Sequence, residues 1–351
     1  MEPFDYDVLP GRVIFGVGRR SEVGDEVERL TATRVVLIAD AHDQETIAYI
    51  EGVLGERLVA TFTEVAQHVP VALAEKLRAL VASTGANATV SLGGGSATGF
   101  GKAVSLTHGL PQICIPTTYA GSELTPIWGT SSGEVKETGR DLRVLPRTVI
   151  YDPELTLGLP ISIAGPSAMN ALAHAVEGLY GPGANPVMSA IALESVRVLS
   201  THLPIMKAAP ASIEERSKVL YGAYLAGVVL AVVGTALHHK TCHILGGLYG
   251  LDHAKMNAVV LPHALAFNAP AIPEAYERLN TVLGGDAAGQ LYDLARALDT
   301  PSSLLEIGMP ADGVERAAPL VVRAAADNVR SIDLDQAVAF LTNCANGQRP
   351  S

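Results

Sequence analysis

Basic residues are scarce in this chain. Lysine and arginine number 25 against 36 aspartates and glutamates, giving a net charge of −11. Binding to nucleic acid or to an anionic membrane needs a basic face, so neither is an expected partner. Cysteine is scarcer still. Cys114, Cys242 and Cys344 share no C-x-x-C spacing, which offers neither a disulfide framework nor a cysteine zinc site and fits a reducing cytoplasm. The opening MEPFDYDVLPGRVIFG has acids where a secretory leader has bases, and no apolar run, so a cytoplasmic location is expected. Only Val219–Leu237, 19 residues without a charge, approaches the length of a membrane span. It is rich in Ala, Gly and Val and runs into His238, His239 and Lys240. That composition predicts a helix buried in a helical domain.

Apolar residues are abundant, at 48% of 351, which is too many for a disordered chain and enough for about two domains. The first part alternates β-rich runs (Arg34–Ala39, Leu58–Phe62, Ala88–Leu92, Gln112–Ile115, Thr148–Tyr151) with amphipathic stretches such as Glu45–Leu54 and Ala72–Ser83. This alternation predicts an α/β domain with a parallel, Rossmann-like sheet over residues 1–160. From residue 161 to 351 the pattern is helical throughout, which predicts an all-α domain. Leu157–Ser167, rich in Pro and Gly, reads as the hinge, with Ser167 as a helix cap.

SLGGGSATGFGK, Ser91 to Lys102, follows an apolar strand and precedes a helical pattern. Gly93, Gly94 and Gly95 let backbone N–H groups approach a phosphate at a helix N-terminus, and Ser96 adds a hydroxyl. A P-loop is excluded, because Ser96 and Ala103 stand where it needs Gly and Ser or Thr. Asp40 ends the strand RVVLIAD, where a carboxylate accepts from a ribose and repels a 2′-phosphate. IPTTYAGSELT offers Thr117, Thr118, Ser122 and Thr125 in a loop at another strand's carboxyl end. In the helical half, Asn170 and His174 share a helix face, with Glu177 one turn on, and so do His239 and His243. Four of the ten histidines (238, 239, 243, 253) fall within sixteen residues, which reads as a site rather than as scattered core histidines.

Together GGGS-x5-K, PTT-x-x-GSE-x-T, YDPELT, Asn-x-x-x-His-Ala-x-Glu and His-x-x-x-His…His, in this order over residues 12 to about 270, resemble the iron-containing alcohol dehydrogenase superfamily. The resemblance implies a dehydroquinate synthase-like fold with an N-terminal dinucleotide-binding domain and a helical C-terminal domain. The superfamily's metal ligands are an Asp and three His, at the positions of Asn170, His174, His239 and His253 here. An amide supplies no negative charge to Fe²⁺ or Zn²⁺. Asn170, with Gly99 where metal-dependent members carry Asp, makes the chain similar to the maleylacetate reductase branch.

That branch implies NADH-dependent (or NADPH-dependent) reduction of a carbon–carbon double bond in aromatic-compound degradation, without metal. It implies His243 as proton donor, with His253 and His239 donating to the enolate or a carboxylate. It implies a dicarboxylate held by Asn170, His174, His238, Lys240 and Tyr119, Lys136 on the cofactor, and a homodimer. A metal-dependent alcohol dehydrogenase and a silent nucleotide-binding protein remain the alternatives.

Overall fold

A computed structural model describes residues 4–132 and 135–350, and leaves the side chains of 135 and 136 undescribed. The chain divides into two compact units, Leu9–Leu159 and Pro160–Ser351, with the described residues before Leu9 grouping with the second.

The first unit runs β1 (Arg12–Phe15), α1 (Val23–Arg29), β2 (Val35–Ala39), α2 (Gln44–Leu54), β3 (Leu58–Phe62), α3 (Val71–Thr84), β4 (Ala88–Gly93), α4 (Gly95–His108), β5 (Gln112–Pro116), β6 (Ile127–Ser132), β7 (Val135–Arg140) and β8 (Thr148–Tyr151). Six strands form one sheet in the order β1-β8-β5-β4-β2-β3, and every pairing in it is parallel. Successive residues of β2 feed opposite faces. Val35, Leu37 and Ala39 join one apolar cluster, and Val36 and Ile38 join another. A sheet covered on both sides needs strands that are apolar without alternation, as RVVLIA is. The helix after β2 leads outward to β3, and the helix after β4 leads the other way to β5. The carboxyl ends of β2 and β4 therefore flank a switch point, where open α/β sheets receive ligands.

Three strands lay outside the predicted set. β1 has only four residues, and β6–β7 is an antiparallel hairpin whose Gly, Ser and Thr give no apolar alternation.

The second unit is helical: α5 (Ile161–Glu177), α6 (Pro186–Ala208), α7 (Ile213–Val233), α8 (Leu237–Tyr249), α9 (His253–Asn268), α10 (Pro273–Leu283), α11 (Ala287–Ala297), α12 (Gly313–Ala324) and α13 (Leu334–Asn346). Ser167 lies inside α5, whose N-cap is Pro160, so it caps nothing. The uncharged stretch is not one helix. Gly234, at φ 80°, ends α7 after Val233, and α8 begins at Leu237. By length and composition α7 alone would reach across a membrane, and 67% of its most apolar window is buried inside the protein.

Candidate active site

The site of the helical unit is built on α5, α8 and α9. Asn170, His174 and Glu177 occupy one face of α5 at spacings of four and three. His174 is stacked on His239 of α8, with ring centroids 4.1 Å apart and planes 9° from parallel. Beneath them Glu177 is fully buried. Its Oε1 accepts from the His238 backbone N–H at 2.8 Å and its Oε2 from Ala236 N–H at 3.0 Å. His239 Nδ1 lies 2.7 Å from the same Oε2. His243 and His253 are exposed, and their rings lie 6.0 Å apart.

These contacts assign the protons. A carboxylate only accepts, so His239 carries its hydrogen on Nδ1. His238 Nε2 faces the Asn257 carbonyl at 3.1 Å, so its hydrogen is on Nε2 and its Nδ1 accepts, 3.1 Å from His239 Nδ1. Burial holds His174 and His239 well below the usual imidazole range, with the neighbouring histidines adding to the effect. Burial also lowers His238, against the attraction of Glu177, and pushes Glu177 up. His239 is therefore a neutral imidazole with a bare lone pair on Nε2. Asn170 Oδ1 is 3.4 Å from that Nε2. Two acceptors do not pair, so the amide turns its NH₂ end onto His239, an exchange its shape permits.

Two parts of this arrangement can be compared with the geometry that a metal ion needs. Glu177, His238 and His239 bring ligand atoms within 4.8 Å of one another. However, His239 Nδ1 and Glu177 Oε2 are only 2.7 Å apart, whereas two ligands at about 2.1 Å in a tetrahedral shell stand roughly 3.4 Å apart. That trio is a hydrogen-bonded network. His174 and His239 fare no better, because an ion must lie in the plane of each ring it binds, and two rings stacked this way have no such point in common.

In the sheet unit, Gly93 has φ 143°, a conformation that favours glycine. A Cβ on Gly94 would stand 3.0 Å from Thr118 Oγ1. The α4 N-terminus has no side-chain cap, which leaves its first backbone N–H groups to meet a phosphate. Asp40 is exposed beside this turn, its Cβ 4.0 Å from where one on Gly93 would sit. Thr117 N–H donates to the Gly93 carbonyl at 3.1 Å and ties the Ser/Thr loop to it. The residues present fit a dinucleotide pyrophosphate and ribose.

The remaining expectations fare unevenly. His238 is sealed in, bonded through its ring and backbone, and is unavailable to a substrate. His239 in its neutral state accepts at Nε2 and does not donate to an enolate. Lys240 is paired with Asp327. Tyr119 is 1% exposed, so it presents no surface for a substrate. Thr125 Oγ1 accepts from Lys102 at 3.0 Å and donates to the Ser122 carbonyl at 3.1 Å, so that hydroxyl serves the loop. Lys136, expected on the cofactor, has its side chain outside the described residues. Sequence reasoning missed Lys102 and Asn257. Lys102 stood in the quoted motif, but its partners Ser122, Thr125 and Ile127 lie 20 to 25 positions further on.

Residues 10–153 match the iron-containing alcohol dehydrogenase family, and residues 165–345 match the C-terminal part of that family. The chain belongs to the iron-containing alcohol dehydrogenase family. It is accordingly an NAD(P)H-dependent oxidoreductase. Maleylacetate reductase of Sphingobium indicum is 44% identical over 348 residues, 99% of each chain. That of Burkholderia cepacia is 44% identical over 352 residues, with both chains fully covered. Among solved structures, maleylacetate reductase from Agrobacterium tumefaciens superposes with a TM-score of 0.95 at 41% identity over the whole of both chains.

Proposed function

We propose that this enzyme reduces the carbon–carbon double bond of maleylacetate to give 3-oxoadipate, with NADH as the preferred donor over NADPH and without a metal. The full-length likeness to maleylacetate reductases carries the reaction. The parallel stacking of His174 on His239, with the Asn170 amide beside His239 Nε2, supports the metal-free part.

The bound nicotinamide supplies the hydride. Hydride addition β to the ketone places charge on an enolate oxygen, a much weaker base than the alkoxide left by ketone reduction. A neutral or cationic hydrogen-bond donor suffices for an enolate, whereas an alkoxide calls for a Lewis acid. His239 cannot be that donor, so His253 takes the enolate. His243 protonates the adjacent carbon, a task suited to imidazole. Asn170 and His174 line the wall that holds the substrate. Lys240, once released from Asp327, is the cation for a carboxylate. Asp40, Gly93–Gly95, Ser96, Thr117, Thr118 and Ser122 receive the cofactor. The same reading makes the enzyme a cytoplasmic homodimer.

The test is NADH oxidation by maleylacetate with and without a strong chelator, repeated with His243→Ala. Rapid, chelator-insensitive oxidation, reduced about 100-fold in the variant, is expected. Chelator-sensitive oxidation of simple alcohols with no turnover of maleylacetate would overturn the reading.

A further inference from the structure

Lys102 of α4 is 1% exposed. Its Nζ lies 2.6 Å from the Ser122 carbonyl oxygen, 2.8 Å from that of Thr125, 2.7 Å from that of Ile127 and 3.0 Å from Thr125 Oγ1, four acceptors that share the three hydrogens of an ammonium. Those carbonyls lie in the turn and strand start that end the Ser/Thr loop. Met or Leu would fill the same space without desolvating a charge, but would take a donor from the Thr125 and Ile127 carbonyls, while the Ser122 carbonyl would keep the Thr125 N–H and hydroxyl. The start of the loop is tied separately, by Thr117 N–H on the Gly93 carbonyl.

We infer that Lys102 is a positioning residue for the cofactor: its ammonium clasps the end of loop 117–125 to the helix that follows the Gly93–Gly95 turn, so that loop and turn form one preshaped wall. The inference rests on the cofactor reading above and deepens it.

The clasp is sensitive to protonation. Burial draws the Lys102 amine down to about 8, opposed by the negative charge of the Glu123 carboxylate. Glu123, itself raised by burial, takes the Tyr151 hydroxyl at 2.6 Å. Burial pushes Cys114 up to about 12, so it stays a thiol. On the other sides of α4, Arg78 of α3 donates to the Ala103 carbonyl and Arg143 donates to Leu106. A neutral amine has two hydrogens and a lone pair among four close oxygens, so the clasp loosens above pH 8.

The experiment compares wild type with Lys102→Met, measuring the NADH dissociation constant between pH 6.5 and 9.5 together with steady-state constants. Emission of Trp128, the only tryptophan and next to clasped Ile127, reports the loop without ligand. Wild type should bind NADH more weakly above pH 8. Lys102→Met should bind it at least about ten-fold more weakly at pH 7, with no alkaline step. Its kcat at saturating NADH and its KM for maleylacetate should stay within about two-fold. Equal NADH affinity, or an unaltered alkaline step in the variant, overturns the proposal. If Lys102→Met does not fold, Thr125→Val removes one clasped oxygen and should weaken NADH severalfold; unchanged binding then overturns it. A wild type that binds neither NADH nor NADPH, yet keeps the pH step in Trp128 emission, overturns the cofactor reading instead.

Discussion

His174 lies face to face with His239, its ring centroid 4.1 Å away and its plane 9° from parallel. Stacked imidazoles present their nitrogens side by side rather than converging, which is the geometry of packing and not of shared coordination. Purified protein should therefore carry well under one equivalent of Fe or Zn, and prolonged chelation should leave the rate of maleylacetate reduction unchanged within about two-fold. Elemental analysis beside the rate decides it. A stoichiometric metal whose removal abolishes turnover would mean that the rings rotate to bind.

Glu177 is the support on which this pair rests. It accepts from two backbone N–H groups of the turn entering α8 and from His239 Nδ1–H. In Glu177→Gln one end of the side chain becomes a donor facing other donors. The loss should be about 2–4 kcal/mol of stability, seen as a lower urea midpoint. His239 would also lose the partner that keeps its hydrogen on Nδ1, so kcat/KM should fall about ten-fold or more. Wild-type activity in a destabilised Gln variant would show that the tautomer of His239 is irrelevant to catalysis.

Much of this was legible beforehand, for local reasons. β2, VVLIA, is apolar without alternation, which only a strand buried on both faces requires. The histidines recur at helical spacing, so their convergence could be anticipated. What failed depended on partners distant in sequence. His238 adjoins His239 but projects to the Asn257 carbonyl. Glu177, 62 positions away, holds the Nδ1 of His239, a partner that helical spacing alone does not reveal. The partners of Lys102, namely Ser122, Thr125 and Ile127, come from the following strand and loop, beyond the motif that contains it.

Cofactor choice tests the sheet unit. The Asp40 carboxylate is exposed at the end of β2, against the glycine turn. A negative charge there welcomes ribose hydroxyls and repels a 2′-phosphate. Asp40→Ser should raise the ratio of NADPH to NADH kcat/KM by about ten-fold, roughly 1.4 kcal/mol. If the ratio stays put, or wild type already favours NADPH, discrimination lies elsewhere in the loop.

His263 makes the last case, through pH and stability. It lies on α9, 5% exposed, and its buried Nε2 has no partner among the described residues. Burial takes it down to about 4 from the ordinary 6.5. The native imidazole is thus neutral, while the unfolded chain binds a proton below pH 6.5. The unfolded state gains protons first, so stability present above pH 6.5 drains away as pH falls towards 4. Two and a half pH units correspond to about 3 kcal/mol at full effect. His174, His238 and His239 act in the same direction. Urea unfolding followed from pH 7 to 4.5 should show a falling midpoint. His263→Gln, which cannot titrate, should show a shallower fall, even if it starts less stable. A variant as steep as wild type would locate the acid sensitivity entirely in the α5–α8 histidines.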